Sequence, residues 1–185
     1  MAKLMICMAD GCEEVEALSV VDILRRARIT IDMVSVNGGD SVTGSHGIVI
    51  GMDKKIEEAD IDAYDGIILP GGMPGTNHLK AHQTVTDTVK KFYKENKLVS
   101  AICAAPTVLG YTGILEGKNA TCYPGMEDGL TGASKKTDPV VRDGNIITSR
   151  GVGTAIPFGL EIVSYFTDEK TASQLAEQIV FFPKK

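Results

Sequence analysis

The chain reads as an α/β protein whose mostly parallel sheet is covered by helices on both faces. Short apolar runs recur along it, at Leu4 to Met8, Ile29 to Val36, Asp65 to Leu69 and Leu98 to Ile102. They have the length and composition of strands buried on both sides. Longer segments with helical spacing lie between several of them, joined by short loops, and strands alternating with helices make parallel sheets. Size bounds the answer as well: 185 residues, 43% hydrophobic and 23% charged, suit a single domain over 1–185. Such a domain buries roughly 70% of its unfolded surface.

Leu4 to Met8 is the first strand, and Asp10-Gly11 a turn. Glu13 to Arg26 has helical spacing, with Val15, Leu18 and Ile23-Leu24 along one stripe. Glu13, Glu14 and Glu16 at its start, and Arg25, Arg26 and Arg28 at its end, complement the helix dipole. Ile29 to Val36 is the second strand, Asn37 to Asp40 a tight turn, and Ser41 to Ile50 hairpin material. Asp65 to Leu69 ends in Pro70-Gly71-Gly72, and a loop containing His78 leads to an amphipathic helix over Thr84 to Asn96. After Leu98 to Ile102, Pro106 stands where a helix begins, with its fixed backbone angle and no amide to leave unpaired. Asn119 to Cys122 and Asn145 to Ser149 are two more short strands. Thr154 to Phe166 and Asp168 to Val180 close the chain as helices, with Pro157 tolerated in a first turn.

Composition excludes several classes. A net charge of −5 argues against nucleic acid, whose partners carry a basic face. No apolar run approaches the ~20 residues that span a membrane. Cys7, Cys12, Cys103 and Cys122 lack Cys-x-x-Cys spacing, so a zinc site is not expected. Met1-Ala2-Lys3 runs straight into a strand with no signal segment, and reduced thiols in the cytoplasm are the expectation.

The chemistry gathers at Cys103. A sharp strand-to-helix turn lifts its side chain out of the sheet in the manner of a nucleophile elbow, without the Gly-x-Ser-x-Gly pattern. The first amides of the helix favour the thiolate, so an acidic thiol is expected; the alternative is one more small buried residue. Ligands bind beyond the carboxyl ends of such strands, and Cys103, Gly71-Gly72 and the Glu13 to Glu16 cluster each follow a strand. If those strands are neighbours, a thiol, a carboxyl and a glycine turn share one crevice. Glu13 and Glu14 suit the helix dipole, whereas Glu16 lies one turn in and could reach inward. A thiolate there attacks an electrophile, and the amides of Ala104 and the glycine turn stabilise the oxyanion. A carboxyl beside the thiol shares its proton and titrates with it. His46, His78 and His82 all precede Cys103 and none adjoins it, which argues against a cysteine protease or glutamine amidotransferase.

The segments Ala9 to Ala17, Leu69 to Gly72, Ala101 to Pro106 and Ser149 to Thr154 together resemble the ThiJ/PfpI superfamily. The likeness is to its branch containing the parkinsonism-associated protein deglycase and its bacterial relatives. That resemblance implies a flavodoxin-like three-layer α/β/α sandwich and a homodimer, with no metal or organic cofactor. It makes Cys103 the nucleophile and oxidisable thiol, Glu16 its protonated partner, and the amides of Gly72 and Ala104 the oxyanion pocket. Arg26 is placed near the dimer interface, approaching the partner's site. Implied activities are glutathione-independent glyoxalase chemistry, repair of carbonyl-glycated groups, sulfinic oxidation of the cysteine and chaperone-like behaviour. Two departures stand out: Tyr123 where the branch often has His, and His46 where it has a basic hairpin residue. A phenol is a far weaker base near neutral pH, so Tyr123 is expected to donate a hydrogen bond to substrate or to pack. Ala104 occupies the place where the protease side of the superfamily has His. Two functions follow as expectations: an enzyme acting on small reactive dicarbonyls such as methylglyoxal, or a redox sensor or chaperone without significant turnover.

Overall fold

The apolar runs assemble into one seven-stranded sheet in a computed structural model that describes residues 2–181. β1 (Lys3–Met8) leads into α1 (Glu14–Arg26) and β2 (Thr30–Ser35). β3 (Ser41–Thr43) and β4 (Val49–Gly51) form a separate antiparallel hairpin before β5 (Lys54–Lys55) rejoins the sheet. β6 (Gly66–Leu69) is followed by α2 (Gly75–Ala81) and α3 (Gln83–Lys94), and β7 (Leu98–Ile102) by α4 (Pro106–Thr112). β8 (Asn119–Ala120) pairs with β9 (Ser134–Lys135) outside the main sheet. β10 (Val140–Asp143) and β11 (Ile146–Ser149) bring the chain back to it, and α5 (Ala155–Phe166) and α6 (Glu169–Gln178) follow.

The strand order is β10-β11-β7-β6-β1-β2-β5, and every neighbouring pair is parallel except β10 with β11. β1 is flanked on both sides, Leu4 lying opposite Ile31 of β2 and Gly66 of β6. Its alternation feeds two cores. Leu4, Ile6 and Met8 cluster with Val20, Leu24, Phe158 and Ile162 from α1 and α5. Met5 and Cys7 cluster with Val89, Phe92, Val108 and Leu109 from α3 and α4. A strand covered on both faces needs apolar side chains at every position, which is why Leu4 to Met8 shows no polar alternation. The result is the flavodoxin-like three-layer sandwich. Its strand order reverses between β1 and β6, where such sheets place their ligands.

Three stretches differ from the sequence reading. The expected loop around His78 contains α2, a seven-residue helix of weak propensity that is held by buried Thr76 and Leu79. Asn119 to Cys122 does not extend the main sheet. The Thr121 amide donates to Thr148 Oγ1 at 3.0 Å and the Tyr123 amide to the Cys103 carbonyl at 2.8 Å, so no ladder continues. The antiparallel edge β10 is an addition to the expected strands; Asp143-Gly144, with Gly144 at φ 64°, makes the tight turn that joins it to β11.

Candidate active site

The carboxyl ends of β1, β6, β7 and β11 stand side by side, and each delivers part of one site. After β7, Cys103 adopts φ 64°, a left-handed conformation that ordinary side chains avoid. Such a residue costs on the order of 1–3 kcal/mol and persists only where its surroundings over-determine it. Here the Cys103 amide donates to the Ser149 carbonyl at 3.0 Å while the Cys103 carbonyl accepts from Tyr123 at 2.8 Å. Pro106 then opens α4 at its first position.

Glu16 reaches this elbow from the first turn of α1 and is fully buried. Its Oε2 accepts the Gly71 amide at 3.0 Å, and its Oε1 has no ordinary hydrogen-bond partner. Glycine is required beside the pair: a Cβ on Gly71 would stand 2.5 Å from Cys103 Cβ and 2.7 Å from Glu16 Oε2. Gly72 is constrained twice, by φ 87° and by a Cβ position 2.3 Å from the Glu13 nitrogen.

Burial pushes the Glu16 carboxyl up to about 7, against the downward pull of the Cys103 thiol and the Gly71 amide. Burial, then the charge and hydrogen bonding of Glu16, push the Cys103 thiol up to about 12, while the amides of Gly72 and Ala104 pull it down. The sequence-level expectation of an acidic thiol is therefore not met beside an ionised Glu16. The two groups titrate as a unit, and the first proton leaves the pair near pH 7. An unpartnered Oε1 suits a carboxyl that keeps its proton and offers it to sulfur.

The pair opens into a cavity of about 510 Å³ lined by Glu13, Glu16, Gly72, Cys103, Tyr123 and Arg150, and by the 151–154 loop. That size lies within the usual range of small-molecule sites. Ala104 lies buried beside the thiol, and Tyr123 is half exposed at the cavity wall. Among the described residues no histidine lines the cavity. Arg26 lies elsewhere in this chain, exposed in the last turn of α1 and paired with Asp22 at 2.6 Å. Glu13 and Arg150 join the wall without any signal in their own sequence neighbourhood. Arg150 lies in the Ser149 to Thr154 segment, and the β11–β7 pairing brings that segment to the wall of the cavity that holds the thiol. A second hollow, about 330 Å³ between α5 and α6, contains Pro157, Leu160 and Phe181 in its wall and no nucleophile.

Glu13, Glu14 and His46 bring one ligand atom each within 4.8 Å of one another, the cluster among the described residues best suited to a metal ion. Its donors are already engaged. Glu14 accepts the His46 amide at 2.7 Å and faces His46 Nδ1 at 2.9 Å, which clamps the β3–β4 hairpin to α1. Burial pushes Glu14 up, but the hydrogen bonds from His46 and the backbone outweigh it and hold the carboxyl at about 2.

Fold and site together define an α/β protein built around a cysteine elbow, with a buried carboxyl against the thiol. The DJ-1/PfpI family model matches residues 2–165, and the chain belongs to that family. It is 36% identical to protein dj-1beta of Drosophila melanogaster over 178 residues, 95% of each chain. It is 34% identical to the Parkinson disease protein 7 homolog of Danio rerio over 182 residues, 96% of each. The solved structure of oxidized Toxoplasma gondii DJ-1 superposes with a TM-score of 0.95 at 32% identity, covering 99% of this chain and 100% of that one.

Proposed function

We propose that this protein is a stress-protective enzyme that converts small 2-oxoaldehydes to 2-hydroxy acids through Cys103, without glutathione. The observation that carries the reading is the partly accessible Cys103 thiol paired with buried Glu16 beside the amides of Gly72 and Ala104, with no histidine among the described residues at the cavity wall.

In this reading the reactive form of the pair is the thiolate with protonated Glu16. Sulfur adds to the aldehyde carbon, the C–O electron pair moves to oxygen, and the two amides stabilise that oxygen as it takes the Glu16 proton. The Glu16 carboxylate then removes the proton from the same carbon to give an enediolate and returns it to the neighbouring carbon, while the hydroxyl proton passes from the first oxygen to the second. One carbon is oxidised to a thioester as the other is reduced to an alcohol, so no external electron carrier takes part. Water cleaves the thioester and releases the hydroxy acid and the thiol. Tyr123 donates a hydrogen bond to the second carbonyl oxygen. Glycated groups enter the same scheme as masked carbonyls. No metal or organic cofactor is required by it.

The test is lactate formation from methylglyoxal by the wild type and by Cys103→Ser. Turnover that disappears in the variant supports the reading. No turnover by folded, reduced wild type removes it.

A sensor role has its own support, because the amides and Glu16 that stabilise an oxyanion would also hold a cysteine sulfinate. Cys7, Cys12 and Cys122 are buried, whereas Cys103 is partly accessible. Graded peroxide should therefore oxidise Cys103 first by peptide mass; equal oxidation of all four cysteines would end this reading.

A further inference from the structure

Arg150 is the basic residue in the cavity wall, and the proposed chemistry leaves it unused. It leaves β11 immediately after Ser149, where Thr154 Oγ1 accepts the amides of Arg150 and Gly151 at 3.2 and 3.0 Å and fixes the loop. Its backbone is thereby anchored at the cavity wall. Arg25, Arg26 and Arg142 each face a carboxylate, at 2.7, 2.6 and 3.4 Å. Among the described residues Arg150 has no carboxylate within ion-pair distance, and its Nη1 is buried without an acceptor. A buried N–H of a cation without an acceptor is costly, so its persistence at a cavity wall calls for a ligand.

The acidic residues nearby do not serve. Glu16 is engaged by the Gly71 amide and the thiol, and Glu13 accepts from Ser45 Oγ at 3.2 Å beside His46. A cavity of about 510 Å³ also exceeds what a three-carbon dicarbonyl fills. A guanidinium is a planar fork matched to a carboxylate.

We propose that Arg150 is the receptor for a carboxylate carried by the substrate, so that the preferred substrates are 2-oxoaldehydes ending in an acid group. This rests on the carbonyl-handling reading of Cys103 and specifies its substrate class. For 4,5-dioxopentanoate the reaction adds one water and gives 2-hydroxypentanedioate and a proton. The aldehyde carbon is oxidised, the adjacent ketone carbon reduced, and the distal carboxylate stays on Arg150.

Two measurements on the full-length protein test it. In turnover, 4,5-dioxopentanoate should exceed uncharged 2-oxopentanal in kcat/KM by at least tenfold. Arg150→Gln should remove that preference through KM, and Arg150→Lys should restore part of it. The second measurement needs no turnover: the rate of Cys103 alkylation by iodoacetate divided by that by iodoacetamide. Both reagents consume the same thiolate, so the ratio reports the anion site alone. It should fall about tenfold in Arg150→Gln, recover in Arg150→Lys, and stay unchanged in Arg142→Gln, whose side chain is paired with Glu161 outside the cavity. A ratio unaffected by Arg150→Gln overturns the proposal. If that variant does not fold, glutarate should protect wild-type Cys103 from iodoacetamide where glutaramide does not, and equal protection overturns it. Wild type that turns over neither aldehyde, yet shows the Arg150-dependent ratio, removes the enzymatic reading and leaves the carboxylate site standing.

Discussion

At the scale of single residues, the protein turns on where one proton resides. Glu16 at about 7 and Cys103 at about 12 together carry about one negative charge between those values, and the reactive tautomer places it on sulfur. Alkylation of Cys103 should therefore rise through an inflection near pH 7 in the wild type. In Glu16→Gln that inflection should vanish, since no carboxyl remains to lose the first proton; an unchanged profile would remove the coupling. The same residue sets a pH dependence of stability. In the unfolded chain Glu16 ionises near 4.5, whereas in the fold it stays protonated to about 7. Between those values the native state binds more protons than the unfolded one, so stability falls as pH rises, and the loss is complete above 7. The size is about 3 kcal/mol, at about 1.4 kcal/mol per tenfold change in proton affinity. Denaturant titrations at pH 4.5 and 8 should show wild type losing that much relative to Glu16→Gln. Sequence position pointed to Glu16 because it lies one turn into the helix that follows β1. A proton shared with the thiol was expected there; the larger cause, burial, was not legible, because burial is a property of the neighbours.

At the scale of elements, the glycines show how closely the parts approach. Gly110 lies in α4, where alanine is the better helix former by about 1 kcal/mol. A Cβ there would stand 2.1 Å from the Gly129 carbonyl oxygen and 2.9 Å from the Thr131 nitrogen, both backbone atoms that cannot rotate away. Overpacking costs about 1–3 kcal/mol and here outweighs the gain in propensity. Gly110→Ala should lower the guanidinium midpoint with an unchanged m-value, by a net of about 1–2 kcal/mol. Gly51→Ala, with no atom within 4 Å of its Cβ and no positive φ, should stay within about 0.5 kcal/mol of wild type. An outcome in the reverse order would refute the packing argument. The same principle explains which elements the sequence concealed. α2 carries Gly75, whose missing Cβ would meet Cys12 at 2.6 Å, so a poor helix former is present because a tight approach requires it.

At the scale of the whole molecule, an apolar patch crosses two elements. Val15 and Leu18 on α1 are 49% and 38% exposed, and Ile48 and Val49 on the adjoining hairpin 53% and 66%. Asp22 and Arg26 continue the stripe one and two turns beyond Leu18. Apolar surface of this kind, rimmed by charge, marks interfaces. It supports the proposed homodimer, with Arg26 at its border. Light scattering at micromolar concentration should give twice the chain mass, and Leu18→Asp with Val49→Asp should halve it; a monomeric wild type would refute the dimer. No helix among the described residues is long and apolar enough to cross a membrane. Much of this was determined by sequence alone. Unbroken apolar runs of this length suit strands covered twice, Pro106 suits the first position of a helix, and Leu69 to Gly72 suits a strand end and turn. Those constraints are local, acting through backbone geometry and side-chain polarity within a few residues. What the tertiary structure decided was adjacency: that β11 lies against β7 and so puts Arg150 in the wall of the cavity that holds Cys103, and that β6 lies between β1 and β7 and so brings Gly71 onto Glu16. Proton affinities followed from that adjacency, because desolvation and charge depend on which groups meet, and residues 55 and 87 positions from Glu16 meet it only when the sheet has formed.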